Sequence, residues 1–426
     1  MEKKFESTRY NLVKSTGFVL FGSVIINILN YIFTILIGRL LGPAAYGEVA
    51  VILGLSTILT VPALSLTTFM ATYSAKYKAE KKISSLNHLR TRTVSYVFVT
   101  GLGVLILFWL SLPWLSAFLK IGKSSLFIYA IVFPISLVSS VNTGTLQGLK
   151  AFIPFSITGI ITTFFKLVLS LLLVNLGFWI NSVMFAIVLG GFLSYLFGHY
   201  QVRSILFLLS RGLRGRPVHK KDFLKEIISF APHIFLSTLF ITLFSNIDLI
   251  LAKHYLSPTL AGFYSALSVT GKIISYISGA LISVMLPFVS SSHTKKDGKS
   301  EKILYFSLSI ILIVSGGTLA FFTLYPKLVI SLLFGANYLT VSPYLYLFGL
   351  AMLFMTLSSV FANFFIGIGG KKFIYPLLFG VIMEVVLIYF YHENILDITL
   401  SVVKAAFVML TGLIVIFLIS KRKAKI

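Results

Sequence analysis

A dozen apolar runs, each long enough to cross a lipid bilayer, dominate this chain and rule out an ordinary globular fold. They fall approximately at 15–38, 47–73, 93–116, 125–147, 152–176 and 180–207, then at 227–252, 260–290, 303–324, 343–366, 373–391 and 395–419. The hydrocarbon layer needs about 20 apolar residues per helical span, and backbone polar groups inside it must be paired within the span. Of the 426 residues, 57% are hydrophobic and 11% charged, more apolar side chain than a soluble domain of this size can hide. The expectation is an all-α membrane protein of about 12 transmembrane helices. The first run starts near Ser15 and reaches Gly38. That exceeds the roughly 7–15 apolar residues of a signal peptide, so it reads as the first span. The short apolar stretch 326–334 reads as an interfacial piece between spans nine and ten.

A net charge of +24 invites a nucleic-acid reading, but the position of the charges argues for topology instead. One side of the spans carries 28 Lys and Arg residues, among them Lys76, Lys78, Arg90, Arg203, Lys371 and Lys421, and the other only Arg39, Lys120, Lys123, Lys253 and Lys327. Such a split is the positive-inside pattern. It places both termini in the cytoplasm of a cell (plasma or inner) membrane protein and excludes nucleic acid as a partner. The basic loop 211–225 would also attract anionic membrane lipids.

Two short patterns recur along the chain. Leu41-Gly42-Pro43 with Gly47 matches Leu256-Ser257-Pro258 with Gly262, 215 residues later. Gly148-Leu149-Lys150-Ala151-Phe152 matches Gly369-Gly370-Lys371-Lys372-Phe373, 221 residues later. The matches divide the chain into a cytoplasmic segment 1–14, a six-helix lobe 15–207, a basic linker 208–226, a second six-helix lobe 227–419 and a basic tail 420–426. Six spans per half means both halves enter the membrane in the same sense, related by a pseudo-two-fold axis along the membrane normal. Two such lobes suit a transporter with a cavity between them.

Polar residues follow single faces of several spans. Ser23, Asn27, Asn30 and Thr34 recur at helical spacing in span one, and Thr238, Thr242 and Ser245 do so in span seven. They line a cavity or hydrogen-bond neighbouring helices; the pattern leaves both open. In span eight Ser265, Ser268, Lys272 and Ser275 share a face, with Thr57 standing where Lys272 would fall in span two. Lys166 and Lys404 are the other ammonium groups far from a helix end. A charge at mid-bilayer costs at least about 2.5–3.5 kcal/mol, so these groups face water, a partner or a substrate, unless their stems let them snorkel. Two acids lie within spans, Asp248 and Glu384. Either can exchange a proton or hold a cation, coupling transport to a H+ or Na+ gradient or to the membrane potential; either can equally neutralise a buried lysine.

Much chemistry is missing. With no cysteine there are no disulfides, thiolate metal sites or cysteine nucleophiles. No G-x-x-x-x-G-K-[ST] loop for ATP occurs. The seven histidines are scattered, and no cofactor or metal site is expected. Transport without an ATPase, and without enzymatic activity, is the simplest account.

Gly38-Arg39-Leu40-Leu41-Gly42-Pro43 followed by Tyr46-Gly47 resembles the signature that closes the first span of Wzx-like oligosaccharide-lipid flippases. These polysaccharide transporters share a superfamily with lipid II flippases and multidrug extruders. Pro232, Asp248, Gly262-Phe263-Tyr264, Ala266, Lys272 and Gln147-Gly148 extend the resemblance over essentially the whole chain. It implies two six-helix lobes around an often cationic cavity, working by alternating access on a polyprenyl-(pyro)phosphate oligosaccharide, with other polysaccharide-assembly proteins as partners. It also implies that Lys272 and Arg39 take the family's basic positions. Leu249 departs from the pattern, because the family often has arginine directly after the aspartate of span seven. Lys272, Arg39, Lys166, Asn27, Asn30, Ser268 and Thr242 are therefore the candidate substrate contacts, and Asp248 and Glu384 the candidate ion-coupling groups. The alternatives are a cation-coupled extruder of drugs or small molecules with the same fold, and a membrane-bound glycan polymerase or ligase.

Overall fold

The computed structural model describes residues 2–210, 232–295 and 299–424, and all regular structure among them is helical. The basic linker from 211 onward therefore lies outside the described residues. Nine helices are long and apolar enough to span a membrane, and Ile374–Phe390 is a shorter tenth. The other two expected spans are broken or merged, which a window of hydropathy does not register. Span two is shared between α1 (Glu2–Leu59) and α2 (Val61–Ala79), with Thr60 at the joint. Span eight is divided at Lys272, between α10 (Pro258–Gly271) and α11 (Ile273–Lys295). The fold is thus all-α with about 12 spans, as expected.

The same punctuation opens spans two and eight. Within α1 the backbone leaves the helix at Gly42 (φ 72°, ψ 174°), and Pro43 begins the next helical segment. A positive φ suits glycine, and proline suits a helix start, where its missing N–H is not needed. In the second half Leu256 is extended, Ser257 caps α10 by accepting from the Leu260 N–H, and Pro258 starts the helix. The 215-residue repeat is therefore also a repeat of backbone geometry.

By contacts the chain forms two compact units, Met1–Leu40 with Leu59–Phe230, and Leu41–Ile58 with Ala231–Ile426. The even division read from sequence would keep 41–58 with the first half. These residues group with the second because Gly47 and Pro43 pack directly on Gly262 of α10, and Tyr46 packs on Phe334 and Tyr338.

The first unit contains α2, α3 (Ile83–Leu119), α4 (Lys123–Ala130), α5 (Val132–Gly148), α6 (Phe152–Asn175) and α7 (Trp179–Ser210). Here α6 packs along α7, and α5 packs between α2, α3 and α7. Arg90 ties three of these helices. It is 6% exposed, its Nε and Nη2 donate to Asn142 Oδ1 at 3.3 and 3.0 Å, and Nη2 lies 3.0 Å from His199 Nδ1. Sequence pattern reads Arg90 as a topological charge; packing makes it a bolt between α3, α5 and α7. A charged hydrogen bond contributes about 1.5–3 kcal/mol, so Arg90→Met should lower the thermal unfolding midpoint in detergent by several degrees. An unchanged midpoint would return Arg90 to a topological role only.

The second unit adds α8 (Pro232–Phe244), α9 (Ile247–Tyr255), α12 (Ser300–Leu324), α13 (Pro326–Leu333), a 3-10 helix (Ala336–Tyr344), α14 (Leu345–Gly367), α15 (Ile374–Phe390) and α16 (Ile395–Ala424). The centre is α14, which touches α10, α11, α12 and α16, while α15 packs against α8, α9 and α16. The stretch read as interfacial forms α13, which buries Val329 and Ile330 and exposes Leu328 and Leu332.

Candidate functional site

The candidate residues separate into one group in each unit. In the first, Lys166 of α6 donates its ammonium to Asn30 Oδ1 of α1 and lies 4.3 Å from the centre of the Phe33 ring. Thr34 leans back to the Asn30 carbonyl at 2.9 Å. An amide oxygen and a ring face orient the ammonium without neutralising it, since neither carries a net charge. Asn27 and Arg39 lie exposed along α1, and Thr242 of α8 is half-buried.

In the second unit the break between α8 and α9 falls at Ser245–Asn246, before the acid. Asn246 Nδ2 donates to the Thr242 carbonyl at 2.8 Å, which turns Oδ1 toward Lys272 Nζ, 3.5 Å away. Asp248 is 1% exposed, and its Oδ2 accepts from Tyr264 Oη at 2.9 Å and from Ser268 Oγ at 3.2 Å. Glu384 of α15 is fully buried. Lys272 interacts electrostatically with both carboxyl groups. Gly54 of α1 approaches Asn246 Oδ1 and Leu249 at van der Waals distance, so the 41–58 segment borders this group.

Of the sequence candidates, the structure joins Lys166 with Asn30, and Lys272 with Ser268, Asp248, Glu384 and, through Asn246, Thr242. It does not gather Asn27 or Arg39 into a buried group. Lys404 is exposed and sits 5.6 Å from the Tyr391 ring, a snorkelling geometry. Sequence reasoning missed Asn246 and the donor role of Tyr264. A signal existed for the first: Asn30 and Asn246 are 216 residues apart, one residue off the repeat, and each accepts from a mid-span lysine.

This helical membrane fold is that of MOP superfamily transporters. The chain aligns over 93% of its length, and 96% of the other, with the inward-facing conformation of a multidrug resistance MATE family transporter, at TM-score 0.76 and 14% identity. A MOP superfamily transporter from Pyrococcus furiosus, described as having a binding pocket of reverse polarity, aligns over 95% and 93% at TM-score 0.64 and 15% identity. The eukaryotic MATE transporter AtDTX14 aligns over 95% and 96% at 0.63 and 14%. Residues 12–293 match the family described as polysaccharide biosynthesis protein, and the chain belongs to that family. No curated protein matches it.

Proposed function

We propose that the protein is a flippase that carries polyprenyl-(pyro)phosphate-linked oligosaccharide from the cytoplasmic to the outer leaflet by alternating access, for export of a cell-surface glycan. The observation that carries this reading is Lys166. Its ammonium lies within a span, held by an amide and an aromatic ring instead of a carboxylate. An uncompensated positive charge in a low-dielectric setting attracts an anion strongly and repels a cation. A diphosphate headgroup fits that charge, whereas a cationic drug does not. Lys166, Lys272 and Arg39 would meet the phosphates, and Asn27, Asn30, Ser268 and Thr242 the sugar hydroxyls, while the prenyl tail stays in lipid. Asp248 and Glu384 would couple the cycle to an ion gradient. The protein would sit in the cell membrane with both termini cytoplasmic, working beside other polysaccharide-assembly proteins without enzymatic chemistry of its own.

Proteoliposomes carrying a fluorescent polyprenyl diphosphate oligosaccharide test this. With the purified protein, the lipid in both leaflets should become accessible to an impermeant quencher, and excess pyrophosphate should slow the exchange. Transport of an organic cation with no lipid exchange would identify an extruder instead.

A further inference from the structure

Three ionisable side chains meet inside the second unit. Neither carboxyl oxygen of Glu384 has a hydrogen-bond partner, and Asp248 Oδ1 has none either. The groups facing Glu384 are Asp248 from α9, Tyr264 from α10 and Lys272 at the α10–α11 joint. On the neighbouring α16, Lys404 is exposed over Tyr391 and Asp397 is half-buried near the helix start. The described side chains of α8 include no titratable group.

Charge balance then decides the occupancy. With both acids ionised and Lys272 protonated, the cluster carries one net negative charge, and the Glu384 carboxylate stands with no donor. A buried charge without a partner is strongly disfavoured. One proton on Glu384 removes the imbalance, leaving Asp248 ionised between two hydroxyl donors and near Lys272. The lysine is placed to leave: it sits where the helix is broken, and its nearest printed partner is a neutral amide at 3.5 Å. Drawing it toward an anion would strand Asp248 in the same dry interior.

We propose that Asp248, Glu384 and Lys272 form a charge-balanced cluster that holds one proton at rest and takes up a second when Lys272 turns to an anionic substrate. Proton uptake and anion binding are thereby linked through competition for one ammonium. The resting proton stands on the cluster alone; the second rests on the flippase reading.

Infrared spectra of the purified protein near neutral pH, in H2O and D2O, test the first half. The wild type should show one protonated buried carboxyl. Glu384→Gln should lose that band, and so should Asp248→Asn, because the remaining acid then serves as the sole counterion of Lys272. Lys272→Met should gain a second band. A wild-type spectrum without the band, a band that persists in both acid variants, or an unchanged Lys272→Met spectrum overturns the cluster. Loss of the wild-type band on replacing potassium by sodium would overturn the proton assignment in favour of sodium.

Calorimetric titration with inorganic pyrophosphate in buffers of different ionisation enthalpy tests the second half. The wild type should take up one proton more per pyrophosphate than the folded Asp248→Asn/Glu384→Gln double variant. Equal proton counts overturn the linkage. Failure of pyrophosphate to bind the wild type removes the linkage together with the anionic-substrate reading, while the infrared result stands independently.

Discussion

Lys166→Glu should abolish exchange of the anionic lipid while leaving the protein inserted and monodisperse in detergent. The ammonium is held by Asn30 and the Phe33 ring, so its charge is available to a phosphate. At an effective dielectric constant near 20 and a separation near 4 Å, that attraction is about 4 kcal/mol. Reversing the sign turns attraction into repulsion, and losing even the attraction alone slows exchange about a thousandfold. Lys166→Arg should fall between, since it keeps the charge but presents a planar fork to a site shaped for a compact ammonium. Lys404→Glu is the control: that lysine is exposed over Tyr391, and its reversal should leave exchange near the wild-type rate. Wild-type exchange by Lys166→Glu, measured in the same vesicles, would remove this residue from the substrate path.

Comparing these lysines shows what a membrane sequence discloses. Lys166, Lys272 and Lys404 look alike in hydropathy, each an ammonium inside an apolar run, and their helices were legible because lipid demands long apolar segments. Their partners were not, because periodicity fixes the face of a helix and not which neighbour it meets. Asn246 carries no pattern of its own; it acquires its role from the break between α8 and α9, which leaves its side chain aimed at Lys272. Lys253 shows the same blindness from the other direction. Sequence position assigns it to an outer loop, yet it is 1% exposed, with Glu48 Oε1 3.9 Å away. The duplication, by contrast, was legible down to single residues, because glycine and proline at Gly42-Pro43 and Pro258 mark the same turn twice.

Gly262→Ala should destabilise the second unit severely, although the added group is one methyl. A Cβ at Gly262 would lie 1.7 Å from the Pro43 carbonyl oxygen and 2.3 Å from its carbon. Both atoms belong to backbone, so no rotamer change relieves the clash, and the 41–58 segment must separate from α10. Overpacking of side chains costs about 1–3 kcal/mol; a clash with backbone belongs at the upper end or beyond. A loss of about 3 kcal/mol corresponds to a fall of roughly 6–12 °C in unfolding midpoint for a domain of this size. Gly47→Ala should cost less, because its Cβ would stand 2.9 Å from the Gly262 nitrogen. A Gly262→Ala midpoint equal to wild type would mean that these helices do not touch. The pairing matters beyond stability. Gly47 and Gly262 are equivalent positions of the duplication, and each packs against the other, as equivalent residues do across an isologous contact. The close approach brings Gly54, on the same segment, beside Asn246. Forcing the backbones apart therefore also loosens the wall around the amide that orients Lys272, and a milder substitution such as Gly47→Ala should weaken pyrophosphate binding along with stability.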